Sequence, residues 1–542
     1  IGSQGCRGKG NLSTMWKSTV LVGLLLAASA HAAIVKTDIK LNDKTVGKFV
    51  HDDDVEGVKP AIILVSETGK INNFAIDQAE AMIGIGARAM VIDAFMFDET
   101  TKTDIATLTI GEMSAIVIKA IDATKTCEVC QSAVDPSKIS VVGYGSGANA
   151  VLAAAAKGAT FNAGIAYTPI LSSAPTSYTL SASAKPRLLI MPDYDSIAML
   201  ADLEKNLGDE VHYEVFIQYG TKPWFNVDTN GNYASDQAKR ALTQSASFLT
   251  AVFMGTFDIA GTTIPNVQNP QTKIKSEDFT YMDGNEELAG RIVRDSTISS
   301  AHAVVVVPAW KGFDSYAIQR LHYLANLGYI AMSANIYDLP IGYSVEDMDL
   351  RIGNLTQWRV AGDNDKGAAF TRRIDAARDH VLKQDGVTGA SVIGFCFGGT
   401  GAYNTYRFGS DYDVHASFHG SMIQTRDFTL TSNNAEFKGY LAMYSGTTDE
   451  GESGDLLLAH LKELSDRNGK WEVTRYSGAV HGYTEWSRAG SGYQAWAEGR
   501  SFESFNAIMD MKKLTVGSGA SSLAASTVLA LVASVAALFF AY

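Results

Sequence analysis

Gly394-Phe395-Cys396-Phe397-Gly398-Gly399 has an earlier counterpart in Gly143-Tyr144-Gly145-Ser146-Gly147-Ala148, with glycine in the cysteine's place. Each stretch follows a short β-branched run (Ala390 to Ile393; Ile139 to Val142) and precedes a small-residue helical pattern (Thr400 to Phe408; Asn149 to Lys157). That reads as a strand, a sharp turn and a helix. Glycines two residues either side of the central position let the chain turn tightly and lift the central side chain above a sheet. In the later stretch that side chain is a thiol, and the N–H groups that open the next helix favour its thiolate. One domain has been written twice, with chemistry in one copy.

The surroundings of the two turns repeat as well. In the later copy Ala303 to Pro308 is a buried-strand run, Ser315 to Leu327 has apolar residues at helical spacing, and Tyr329 to Ala334 is the next strand. The earlier copy matches with Ala61 to Val65, a helix over Ile76 to Ile85, and a strand from Ala89 to Ile92. Strands alternating with helices predict βαβ units and a mostly parallel sheet, with sites at the carboxyl ends of the strands. Beyond the turns, strands Leu441 to Ser445 and Leu188 to Met191 are each followed by an aspartate, Asp449 and Asp195. Tyr476 to Tyr483 then lies against Gln218 to Phe225, which sets His481 against Pro223. Tyr493 and Arg500 are seven apart, as are Tyr233 and Arg240.

The chain has 542 residues, 46% hydrophobic and 19% charged, enough for two domains that each bury a core. The boundaries expected are 33–262 and 263–512. The formal net charge of −13 makes nucleic acid a poor partner. Met15-Trp16-Lys17, the apolar run Val20 to Ala28 and Ala30-His31-Ala32 read as a secretory signal peptide cleaved before Ala33, so residues 1–32 are not fold. At the other end, 513–542, a Gly/Ser-rich segment runs into Leu523 to Tyr542, apolar with no charge after it. This suits a GPI-attachment signal, with a C-terminal membrane helix as the rival. Either places the domains on the extracellular or lumenal side, tied to a membrane, and a sequon at Asn354-Leu355-Thr356 is consistent with that. After signal removal Cys127, Cys130 and Cys396 remain. Cys127 and Cys130 can close a small disulfide loop and leave Cys396 free; a redox C-x-x-C is the weaker reading. No set of Cys, His and carboxylates has metal-ligand spacing, and nothing calls for a metal, nucleotide or other cofactor.

The later copy therefore carries Cys396, Asp449 and His481 in that order, each just after an expected strand. Nucleophile, orienting acid and base in this order suit an α/β-hydrolase. His481 would take the thiol proton, Asp449 would fix its tautomer, and the N–H groups of Phe397 and Trp310 would form the oxyanion hole. Singly, a buried cysteine between glycines or a histidine in a glycine-rich loop is as often structural. Their joint order is what favours catalysis. His415 and His419 read as packing residues, with His419 close enough to the strand end to line the pocket. The earlier copy has Gly145 and Pro223 at the nucleophile and base positions and reads as a pseudo-enzyme. Its Ser146 is out of register for a nucleophile, and its His212 falls at the start of a strand.

These residues resemble the dienelactone hydrolase family. The matching motifs are G-x-C-x-G-G at Gly394 to Gly399, Phe418-His419-Gly420, Gly446-Thr447-Thr448-Asp449, His481-Gly482-Tyr483 with Tyr493 and Arg500, and the entry Val307 to Gly312. The resemblance implies two α/β-hydrolase domains, each a mostly parallel sheet flanked by helices. It also implies a cofactor-free carboxylic-ester or lactone hydrolase with a Cys-Asp-His triad, acting on a small molecule. Two positions depart from the family. Its dienelactone-acting members carry a glutamate beside the nucleophile, where this chain has Ala309, and an arginine four residues past the histidine, where it has Glu485. An anion there penalises an anionic substrate. The alternative is a non-catalytic cell-surface binding protein made of two hydrolase-fold modules.

Overall fold

The computed structural model describes residues 34–517 apart from 42–43, 97–103, 178–185, 209–210, 229, 257–272, 338–340, 342–363, 422–435 and 453. Asn354, the segment before residue 34 and the segment after 517 lie outside the described residues, so the glycosylation, signal and anchor expectations fall there. Among the described residues no helix is long and apolar enough to cross a membrane.

The first copy contributes β1 (Ile34–Leu41), β2 (Lys44–Asp52), β3 (Lys59–Val65), β4 (Arg88–Ile92), β5 (Val134–Tyr144), β6 (Ala163–Tyr167), β7 (Arg187–Met191) and β8 (His212–Gln218). Its main helices are α1 (Asn73–Ile83), α2 (Ile110–Thr126), α3 (Ser146–Ala156), α4 (Leu200–Leu207) and α5 (Ser235–Met254). The second copy repeats the pattern with β9 (Ile274–Asp283), β10 (Glu286–Asp295), β11 (Ala301–Val307), β12 (Ile330–Ser333), β13 (Val387–Phe395), β14 (Val414–Phe418), β15 (Tyr440–Gly446) and β16 (Trp471–Tyr476). Its helices are α6 (Ser315–Asn326), α7 (Asn364–Val381), α8 (Phe397–Arg407), α9 (Gly454–Asp466) and α10 (Ala495–Gly517). The central strands pair in parallel, and β1, β2, β9 and β10 form antiparallel margins. Runs such as Val304 to Val307 are buried throughout, as strands covered by helices on both faces must be.

Where the sequence reads as two sheets, the structure has one. The strand order is β1-β2-β4-β3-β5-β6-β7-β8-β16-β15-β14-β13-β11-β12-β10-β9, so the copies join edge to edge through β8 and β16. The physical reason is that each copy alone would expose the apolar edge of a parallel sheet, an edge that proteins cover or pair. The junction is antiparallel, with Glu472 opposite Gln218, Thr474 opposite Phe216 and Tyr476 opposite Glu214. Since Gln218 corresponds to Tyr476 in the repeat, Phe216 and Thr474 correspond to each other and sit on a pseudo-twofold axis. The side chains obey the same symmetry. Arg240 of α5 donates Nε and Nη2 to Glu472 at 2.9 and 2.8 Å, and Arg500 of α10 donates Nε and Nη2 to Glu214 at 2.7 and 3.1 Å. All four residues are buried. Each copy's arginine reaches the other copy's glutamate, as in an isologous dimer. The core crosses the junction too, with Val215 and Ile217 sharing one apolar cluster with Trp471 and Val473.

Candidate active site

β13 ends at Phe395, and α8 begins at Phe397, so Cys396 is the whole turn between them. Its φ of 55° and ψ of −118° lie in a region that side chains other than glycine's rarely adopt, a strain held by the surrounding packing. The flanking glycines make that packing possible. A Cβ at Gly394 would meet the Gly398 carbonyl oxygen at 1.9 Å, and one at Gly398 would meet the Val307 and Pro308 oxygens at 2.2 and 2.5 Å. This close approach puts the opening of α8, with the Phe397 N–H, beside the chain leaving β11, where Trp310 lies.

The other two sequence-selected residues come to the same point. His481 Nε2 is 3.0 Å from Cys396 Sγ, and His481 Nδ1 donates to Asp449 Oδ2 at 2.9 Å. Asp449 is almost fully buried, whereas the histidine side chain is 39% exposed. Burial works against a charged imidazole here, but hydrogen bonds to Asp449 and Cys396 outweigh it and push the His481 pKa up to about 11. The loops that carry Asp449 and His481 are laced together. Gly478 N donates to Thr447 Oγ1 at 2.9 Å and Thr448 Oγ1 donates to the Ala479 carbonyl at 2.7 Å. Among the described residues Cys396 is the free cysteine, while Cys127 and Cys130 are bonded to each other.

His419 lies beneath Cys396 and is fully buried. Its Nδ1 accepts from the backbone N–H of Cys396 at 3.0 Å, which leaves the proton on Nε2, 2.8 Å from Thr484 Oγ1. Burial, with repulsion from His481 and Arg320, drives its pKa well down, so it is a neutral support for the elbow. His415 is also held neutral, its pKa pushed down to about 3 by burial, and its Nδ1 lies 2.8 Å from Thr405 Oγ1.

Three contributors escaped the sequence reading. Thr484, in the histidine's own loop, ties His419 to Tyr316 and Arg320. Arg488 donates to the His481 carbonyl and so shapes the base's loop. Glu452, three residues past Asp449, is buried, and burial with repulsion from Asp449 pushes its pKa up to about 8. It is therefore mostly protonated at neutral pH. The acidic run Asp449-Glu450-Gly451-Glu452 was the available signal.

The first copy keeps the elbow's shape without its groups. Gly145 has φ 53° and ψ −119°, matching Cys396 closely. A Cβ at Gly145 would lie 2.5 Å from Trp224 Nε1, so an indole stands where the nucleophile would project. Pro223, beside it, is exposed, and Ser146 is buried as the first residue of α3. Asp195, set against Asp449 in the sequence, is exposed. The buried carboxylate after β7 is Asp193, which caps its own turn by accepting from Ser196 N and Oγ, both at 3.0 Å. Glu67 packs 3.4 Å from the same Gly145 Cβ position. Because Val65 pairs with Gly143 as Val307 pairs with Gly394, Glu67 corresponds to Ala309. The glutamate absent beside Cys396 is present beside Gly145.

The dienelactone hydrolase family model matches residues 49–253 and again 288–512, together more than half of the chain. The chain belongs to the dienelactone hydrolase family. It carries that family's hydrolase fold in two copies. Solved dienelactone hydrolase-like proteins are similar to one copy at a time. The protein m3DLH is 25% identical with a TM-score of 0.40, over 44% of this chain and 98% of its own. A dienelactone hydrolase-like promiscuous phosphotriesterase, P91, from metagenomic libraries is 24% identical with a TM-score of 0.37, over the same shares. No curated protein matches the chain.

Proposed function

We propose that the second copy is a thiol hydrolase of carboxylic esters or lactones and that the first copy is a pseudo-enzyme. The observation that carries this reading is the unbroken line from Asp449 through His481 to Cys396 Sγ, with steps of 2.9 and 3.0 Å, at a strand-to-helix elbow. The Cys396 sulfur attacks the acyl carbon while its proton resides on His481 Nε2. The oxyanion that forms is held by the N–H groups of Phe397 and Trp310. As the C–O bond breaks, His481 returns the proton to the leaving alkoxide, and Asp449 stabilises the imidazolium throughout. Water, deprotonated by His481, then cleaves the thioester and the sulfur leaves. Glu485, half-buried with its pKa raised by burial, lies in the base's loop and favours acyl groups without a carboxylate. The indole of Trp224 in the nucleophile's place supports the pseudo-enzyme reading of the first copy.

The cellular setting we propose is the secretory route with a C-terminal anchor to the membrane's outer face. It rests on the terminal segments of the sequence and on the Cys127–Cys130 disulfide, a bond of oxidising compartments. The decisive experiment is hydrolysis of short-chain p-nitrophenyl esters by residues 33–515, wild type beside Cys396→Ala. Activity abolished in a folded Cys396→Ala protein is expected. Equal turnover by both would remove the thiol from the mechanism.

A further inference from the structure

The two copies can be superposed residue by residue below the elbow. Asn72 and Asp314 both cap their helices by accepting from the third residue on, which sets Phe74 against Tyr316 and Gln78 against Arg320. The β8 and β16 correspondence sets Asn226 against Thr484 and Asp228 against Trp486. The equal spacing of Tyr233 to Arg240 and Tyr493 to Arg500 sets Ala238 of α5 against Glu498 of α10.

In the second copy these positions fill a solid cluster. The Arg320 guanidinium is fully buried, lies 3.9 Å from the Trp486 ring centroid and 5.0 Å from that of Tyr316, and pairs with Glu498. In the first copy the guanidinium, its carboxylate and its indole have become glutamine, alanine and aspartate. A hollow of about 140 Å³ remains, walled by Phe74, Tyr167 and Tyr233, with Asp77 and Asp228 at its mouth and Lys239 on its rim. Asn226 lines it, only 6% exposed, and both amide atoms are buried without a hydrogen-bond partner among the described residues. An unpaired buried amide of this kind is costly and calls for an explanation. The Asp77 carboxyl is raised by burial and by repulsion from Glu80 and Asp228, partly offset by Lys36, so acidic groups gather at the mouth.

We propose that this hollow in the first copy binds a small organic cation with N–H donors, of the guanidinium or primary ammonium class, in the place that Arg320 fills in the second copy. Aromatic walls receive such a cation on their faces, the two carboxylates attract it, and Asn226 Oδ1 accepts one of its N–H groups. At about 30 Å³ per small polar unit the volume admits roughly four or five non-hydrogen atoms, the size of methylguanidinium or ethanolammonium. The site is independent of the thiol chemistry, so the failure of either proposal leaves the other standing.

The test is calorimetric titration of the full chain with methylguanidinium chloride and ethanolammonium chloride at constant ionic strength, with urea as the neutral comparison. Saturable binding of at least one cation is expected, with urea at least about tenfold weaker. Asp228→Asn and Asn226→Leu should each weaken it by about tenfold. Gln78→Arg combined with Ala238→Glu, which rebuilds the second copy's filling, should abolish it while Cys396 still reacts with iodoacetamide as in the wild type. No saturation with either cation, or affinity unchanged in Asn226→Leu, overturns the proposal and leaves the hollow to water.

Discussion

Replacing Glu204 with glutamine tests whether the first copy holds the second copy's Asp449 loop in place. Glu204 lies on α4 of the first copy, and its carboxylate accepts from Arg475 of β16 at 2.6 Å (Nε) and 3.1 Å (Nη2). The same guanidinium donates Nη1 to Ser445 Oγ at 2.8 Å and to the Glu452 carbonyl at 3.1 Å, so it grips both ends of the segment that carries Asp449. Arg475 is buried and the Glu204 side chain is only 12% exposed. Breaking a buried pair from one side costs about 3–5 kcal/mol, and slight exposure argues for the lower figure, about 3 kcal/mol. At a urea slope of about 3 kcal/mol/M that moves the midpoint down by about 1 M. The assay is urea unfolding of the full chain followed by circular dichroism, with ester hydrolysis measured alongside. Glu204→Gln should lower the midpoint and also reduce kcat, because the acid loop loses its brace. A double variant, Glu204→Gln with Arg475→Met, should recover part of the stability, since no unpaired charge remains. An unchanged midpoint and unchanged kcat in Glu204→Gln would refute the idea that the first copy braces the site.

Further outcomes follow from the same geometry. Asp449→Asn should lower kcat by about 10³ to 10⁴-fold with KM little changed, because the imidazole loses its tautomer and its counter-charge; a tenfold effect or less, measured on p-nitrophenyl acetate, would place His481's orientation elsewhere. Because the folded-state pKa values of His481 and Glu452 are raised to about 11 and about 8, each favours the folded state fully below its unfolded value and loses that contribution as pH rises through the folded one. Unfolding midpoints should therefore fall from pH 5 to pH 9, and Glu452→Gln should flatten the part below about pH 8. Reducing the Cys127–Cys130 disulfide, which closes a loop of about four residues, should cost no more than about 2 kcal/mol and leave turnover unchanged; activity that tracks the redox state would instead make that pair a switch.

The elbow at Cys396 and the meeting of Asp449 and His481 with it were legible because each position obeys a local rule: a glycine pattern around a strand-to-helix turn, or a place just after a buried strand. The same local rules gave the helix from Ser315 and the strand ending at Val307 to within a residue or two. What could not be read locally is how the copies meet. Glu214 and Glu472 sit in buried strands, and Arg240 and Arg500 sit on helices, each in the opposite copy from its partner glutamate, so the pairs are not visible until the dyad assembles them. Their repetition was visible, since Arg240 and Arg500 keep the same distance from Tyr233 and Tyr493, but the copy in which each finds its partner is a property of the assembled sheet. The same holds for Asp195, whose sequence position mimics Asp449 while the buried carboxylate is Asp193. This junction also changes what separation of the copies would mean. Cutting between them would deprive Glu472 of Arg240, leave Arg500 with Glu503 but without Glu214, and bare the edge of β16. The first copy, with Gly145 at its elbow, supplies half of the buried junction on which β16 of the second copy rests.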